Sequence, residues 1–262
     1  MTDPAEIYDS WFVPVLFAPV AEQMVHGTAL PPRARVLDIA CGTGIVARTV
    51  AARLQGQGQI TGLDLNPAML RVARRVSAAA GLEIAWSQGD AQALPFPDAS
   101  FDIVFCQQGI QFFPDRAAAV AEMYRVLASG GEAAVACWRG LARNPFFAHF
   151  AQAVQQRVGS DALTTPFVLD DPRELSGLLQ QAGFQDVSVE PIAFTAIYTE
   201  PQRFVEMQMA SSAAAIPALQ GLGSEELAAV IEAIRGDMEP FVQEALVDGQ
   251  LHVPMQGTLA RG

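Results

Sequence analysis

The sequence predicts a doubly wound α/β fold around a mostly parallel sheet. Three observations carry this expectation. Short apolar runs alternate with helix-like runs at the spacing of strand–helix units. Several apolar runs lack a polar face, as strands covered by helices on both sides require. The first of them, in VLDIACGTG (36–44), passes through a glycine turn directly into the helix-like IVARTVAARL.

The elements follow in order. Residues 1–30 read as helical, interrupted by Pro14 and Pro19, with aromatic residues at Tyr8, Trp11, Phe12 and Phe17. ALPPRA (29–34) is a breaker. Strand runs are expected at 35–40, 59–65, 82–90, 101–107, 131–138 and 186–198, with helices at 44–54, 67–80, 115–128, 144–158 and 172–182. Asn66 precedes Pro67 and is the expected cap of the second of these helices. Residues 200–247 read as two further helices, and 251–260 as a seventh strand. The expected organisation is an N-terminal helical cap (1–32), a core (33–198), a helical lid (199–248) and a last core strand (249–262).

The 262 residues are 51% hydrophobic and 17% charged, enough for one sizeable core with insertions. Mean hydropathy is +0.23, yet no uncharged apolar run reaches 18 residues, so no transmembrane helix is expected. The first residues include acids and no basic stretch, which predicts no secretory leader. The net charge of −12 repels phosphate backbones and argues against nucleic acid as substrate. Cys41, Cys106 and Cys137 are odd in number and widely spaced. They read as small buried thiols in a reducing cytoplasm, with neither disulfides nor a metal site.

In open α/β sheets ligands bind beyond the carboxyl ends of the strands. Asp38 and the loop Ala40-Cys41-Gly42-Thr43-Gly44 end the first strand run. Glycines let backbone approach a ligand, and the following helix offers free N–H groups. Asp64 ends the second run and can accept both hydroxyls of an adenosine ribose. Gly42, Gly44 and Ala47 also fit G-x-G-x-x-A, so NAD and S-adenosylmethionine (SAM) are equal candidates to this point. Three features favour SAM. Asp38 would oppose a pyrophosphate but suits the amino group of a methionine moiety. Gly89-Asp90-Ala91 places an acid and a small residue where an adenine edge could bond. The fourth run ends in Gln107-Gln108-Gly109 and then Phe112-Phe113-Pro114, neutral donors and aromatics with no hydride-transfer acid or base.

The strings VLDIACGTG, GLDLNPAML, GDAQALPFPDASFDIV, QQGIQFFPD and EMYRVLASGGE occur in that order. Together they resemble the class I SAM-dependent methyltransferases that act on small molecules. The resemblance is strongest to the C-methyltransferases of ubiquinone and menaquinone biosynthesis. It is close over residues 33–140 and weaker in YDSWF and LLQQAGF. It implies a seven-stranded Rossmann-like sheet. It implies that Thr43 and its glycines hold the methionine end, that Asp64 takes the ribose, and that Asp90 and Ala91 take the adenine. It places Gln107 near the methionine moiety and lets Tyr8 and Trp11 close over SAM. Asp38, Ala40, Leu65, Met69 and Gln108 complete the expected cofactor set. Gln107 departs from the quinone enzymes, which have a small hydroxyl residue there, and Ser129 stands where the family usually has proline.

The expected reaction is methyl transfer to carbon or oxygen of a small, largely apolar metabolite, with S-adenosyl-L-homocysteine as product. No NPPY- or DPPY-like motif of amino-methylating nucleic-acid enzymes is present. No general base stands out; His149, in PFFAHFAQ, is the candidate. Phe204, Met207, Met209 and Phe241 of the lid fit either an apolar cavity wall or ordinary helix packing. An NAD-dependent oxidoreductase and a non-catalytic SAM-binding protein are the alternatives, and a homodimer is the assembly considered.

Overall fold

The computed structural model describes residues 3–213 and 216–262. Asp3 accepts the Ala5 N–H at 3.1 Å and Pro4 opens the first turn of α1 (Pro4–Ile7). The chain does not break at the next prolines. It widens into a π-helical stretch (Tyr8–Phe17) that contains Pro14, then continues as α2 (Ala18–His26) with Pro19 in its first turn. Pro14 lacks an N–H, and the wider winding absorbs the missing rung; Ala18 N–H, for instance, reaches back to Val13 O. Burial of Phe12, Val13 and Leu16 holds this helix together where local propensity would end it.

The sheet is built from β1 (Arg35–Ile39), β2 (Gln59–Asp64), β3 (Ala85–Gln88), β4 (Phe101–Gln107), β5 (Leu127–Trp138), β6 (Ser188–Tyr198), β7 (Leu246–Val247) and β8 (Gln250–Arg261). Its order is β3-β2-β1-β4-β5-β8-β6, with β7 paired to β8. The first five strands are mutually parallel, and β8 runs antiparallel to β5 and β6. The connecting helices are α3 (Ile45–Leu54), α4 (Pro67–Ala79), α5 (Arg116–Val126), α6 (Pro145–Val158) and α7 (Pro172–Ala182). Adjacent strand residues feed opposite cores: Val36, Ile103 and Phe105 pack on one face, Leu37, Val104 and Cys106 on the other. The doubly wound, mostly parallel sheet is the one the sequence predicts.

Three larger differences are seen, two in strand extent and one an added strand. The strand expected at 131–138 begins at Leu127, because Phe101 pairs with Leu127 across a bulge before Ile103 meets Glu132. The run expected at 82–90 pairs only over Ala85–Gln88. An eighth strand, β7, forms a hairpin through Asp248 and Gly249, whose φ values of 49° and 77° suit a type I′ turn. Between β6 and β7 lie α8 (Phe204–Ser212) and α9 (Ser224–Glu244). The latter packs on α6, where Arg157 pairs with Asp237 at 2.6 Å. Among the described residues no helix is long and apolar enough to cross a membrane.

Candidate functional site

Beyond β1 the chain turns through three left-handed residues, Ala40 (φ 52°), Gly42 (φ 55°) and Gly44 (φ 85°). Gln108, just past β4, is left-handed as well (φ 54°). The two strand exits touch: a Cβ at Gly109 would lie 2.6 Å from that of Ala40. β2 lies on one side of β1 and β4 on the other, so this is where strand order reverses and a crevice opens.

Two aspartates organise the loop. Gly44 is the N-cap of α3 and has no side chain to bond the first turn. Asp38 supplies the missing acceptor, taking the Ala47 N–H at 3.0 Å. Burial pushes the Asp38 carboxyl up to about 8, against the pull of that N–H. Its unfolded value is near 3.8, so the folded state binds the extra proton. Stability from this group is therefore full below pH about 4 and lost as pH rises through about 8. Asp38→Asn is expected to flatten that part of a thermal-unfolding profile; an unchanged slope would place the titrating group elsewhere. Asp64 accepts Gly42 N–H and Asn66 N–H, each at 2.8 Å, and so ties the end of β2 to the glycine loop. Asn66 caps α4 through the Ala68 N–H at 2.9 Å, as expected.

The N-terminal helix is clamped over this loop. Asp9 pairs with Arg48 of α3 at 3.0 Å, and Asp3 and Glu6 pair with Arg71 and Arg75 of α4. Tyr8 is thereby set against the loop: a Cβ at Gly42 would lie 3.6 Å from its ring. Burial raises the Tyr8 hydroxyl pKa, and the charges of Asp64, Asp9 and Asp38 add to it. Tyr8 also borders a cavity of about 200 Å³. Phe12, Phe147, Phe150 and Phe167 form much of its wall, with Gln108, Gln111 and Gln208 as polar points. Among the described residues no Asp, Glu, Lys, Arg or His lines it.

Residues 36–131 match the model of a family described as "Methyltransferase domain". A demethylmenaquinone methyltransferase of Thermus thermophilus is 46% identical over 101 residues, 38% of this chain and 46% of that protein. A demethylmenaquinone methyltransferase of Lactiplantibacillus plantarum is 33% identical over 186 residues, 64% of this chain and 77% of the relative. The chain belongs to the class I SAM-dependent methyltransferases. It spans less than half the length of the Thermus relative and more than three quarters of the Lactiplantibacillus one. A solved structure titled as a putative methyltransferase from Bacillus halodurans shares the fold of this family member, with TM-score 0.60 and 22% identity over 92% of this chain and 96% of that one.

Within this methyltransferase fold, Asp38, Ala40, Gly42, Thr43, Gly44 and Asp64 come together at the β1 and β2 exits, with Tyr8 above them. Thr43 is buried and its Oγ1 has no partner. Leu65 is 66% exposed beside Asp64, and Met69 is half-buried on α4. Asp90 closes its own turn, accepting Gln92 N–H at 2.9 Å, while Ala91 is buried. Gln107 donates to Phe17 O at 2.9 Å and so fastens β4 to the N-terminal helix.

Three sets of residues singled out in the sequence lie off the cavity wall. Trp11 does not line the cavity; it stacks on Tyr198 at 6.3 Å under Arg203. His149 also lies outside the cavity wall and stacks on Phe241 at 3.6 Å, between α6 and α9. Phe204, Met207 and Met209 are core residues, and α8 shows the cavity Gln208, Ser211 and Ser212 instead. The three cysteines are free and buried, as expected; burial lifts the Cys106 and Cys137 thiols to about 12.

Trp86 escaped the sequence reading. Its indole lies where a Cβ at Gly44 or Gly62 would be, 2.2 and 2.3 Å away respectively. Gly62, a lone glycine inside a strand, was the available signal of close approach.

Proposed function

We propose that this chain binds SAM along the carboxyl edge of β1, β2 and β3 and passes its methyl group to a small, largely apolar acceptor in the aromatic cavity. S-adenosyl-L-homocysteine is then the product. The observation that carries this reading is Tyr8, which lies against the glycine loop and also lines a cavity with no charged side chain among its described residues. Asp38, Ala40, Gly42, Thr43 and Gly44 are assigned to the methionine end, Asp64 to the ribose, Leu65 and Met69 to the apolar flank, and Asp90 with Ala91 to the adenine. Gln107 and Gln108 border the methionine end. The residues suit such a ligand: the buried Asp38 acid, whose ionised form an ammonium would favour, an unpartnered Thr43 hydroxyl, and bare apolar surface at Leu65.

When bound, SAM supplies an electrophilic methyl group. The chain's own work is to exclude water and hold the acceptor roughly 3–3.5 Å from that methyl in line with it. Among the described residues no carboxylate, imidazole or amine lines the cavity, so the acceptor brings its own nucleophilicity. An electron-rich ring does so, and the reduced, quinol form of a quinone-type ring, the class named for the relatives, is the first to test. A volume of about 200 Å³ exceeds the roughly 150 Å³ that takes benzene, which favours a compact ring. The helices α8 and α9 serve as the cover, and a small-molecule acceptor in the cytoplasm agrees with the net charge of −12.

Calorimetry separates this from nicotinamide chemistry. Micromolar binding of SAM and S-adenosyl-L-homocysteine, without NADH binding, is expected. Binding of NADH with no response to either sulfur compound would overturn the assignment.

A further inference from the structure

We propose that Gln108 and Gln111 form a hydroxyl-recognition pair that selects acceptors carrying a neutral OH on an aromatic ring. This rests on the cavity being the acceptor site. Both glutamines are more than nine-tenths buried, at 7% and 3% exposure, and both line the cavity. Gln111 Nε2 donates to Gln108 Oε1 at 3.0 Å. Among the described residues Gln108 Nε2 and Gln111 Oε1 are left with no partner. Whichever way the two amides are turned, mutual bonding uses one donor and one acceptor and leaves one of each.

That remainder defines the ligand. A hydroxyl donates one hydrogen bond and accepts others, so it satisfies both amides at once. A ketone or ether only accepts and leaves the carbonyl bare. A carboxylate or ammonium would bring an unpaired charge into a cavity without counter-charges. The surrounding phenylalanines select a ring as the carrier of the hydroxyl.

The pair is held rigidly. Gln108 is fixed by its left-handed backbone at the β4 exit. Gln111 sits in a 3-10 turn (Ile110–Phe112) whose Ile110 and Gln111 carbonyls each accept from Arg116 at 3.3 Å. On α8, Gln208 adds a further unpartnered buried oxygen to the same cavity.

The test compares 4-methylphenol with p-xylene, in which a methyl replaces the hydroxyl. Affinities are measured by calorimetry on the full chain saturated with S-adenosyl-L-homocysteine, for wild type, Gln111→Leu and Gln111→Met. The preference for 4-methylphenol is expected to fall by roughly tenfold or more in both variants, the loss that follows when a buried polar partner is removed. Binding of S-adenosyl-L-homocysteine should hold, showing that the fold is intact. An unchanged preference in both variants, with that binding intact, overturns the proposal. Failure of the wild type to bind S-adenosyl-L-homocysteine would instead overturn the methyltransferase reading, and the hydroxyl preference could still be read on the chain alone.

Discussion

Gly44→Ala is expected to destabilise the fold by about 2–5 kcal/mol, through two separable causes. Gly44 has φ 85°, a left-handed conformation that costs an alanine about 1–2 kcal/mol. Its new Cβ would also fall 2.2 Å from the Trp86 indole. That ring cannot easily retreat, because Gly62 lies against it and Ser77 Oγ accepts its Nε1–H at 3.3 Å. Crowding of this kind adds about 1–3 kcal/mol. Gly56 provides the control: its φ of 79° is similar, but nothing lies within 4 Å of its Cβ position. Gly56→Ala should show the conformational cost alone. A Gly44→Ala, Trp86→Phe double-mutant cycle in urea should return favourable coupling as the clash is relieved. Equal costs for the two glycine variants would mean that Trp86 does not pack as described.

Asp64→Ala is expected to weaken SAM binding by about 1–3 kcal/mol, a loss of roughly 5- to 150-fold in affinity. Each carboxylate oxygen already accepts one backbone N–H, from Gly42 or Asn66. A carboxylate has about four acceptor positions, so two remain for ribose hydroxyls. The substitution also unfastens Gly42 from the end of β2. Asn66→Ala is the contrast, since the Asn66 side chain is engaged in capping α4. It should cost about 1 kcal/mol of stability and leave SAM affinity in place. Unchanged affinity in Asp64→Ala would mean that the ribose lies elsewhere.

How far the sequence foretold these features depended on how local their causes are. The strand–helix alternation and the acids at the β1 and β2 exits follow from short-range pattern, and the sheet carries them where expected. The N-terminal segment was legible as helical, but its continuity was not, because Pro14 reads locally as a break. Burial of Phe12 and Leu16, and the ion pairs to Arg48, Arg71 and Arg75, keep it wound. The β7 hairpin had a signal in Asp248-Gly249, but two residues are too few to show periodicity. The cavity was the least legible feature. Its walls come from the N-terminal helix, the β4 exit, α6 and α8, segments more than a hundred residues apart in part. Pattern alone could not say which face of α8 would look inward. The apolar Phe204, Met207 and Met209 went to the core, and Gln208, Ser211 and Ser212 were left to the cavity.

The most direct test is a transfer assay. The chain is incubated with methyl-labelled SAM and a panel of compact hydroxylated aromatic compounds, including quinols, alongside charged metabolites of similar size. Label is expected on a neutral hydroxylated ring, with stoichiometric S-adenosyl-L-homocysteine. Tight SAM binding with no label on any acceptor, or label confined to charged acceptors, would contradict the account.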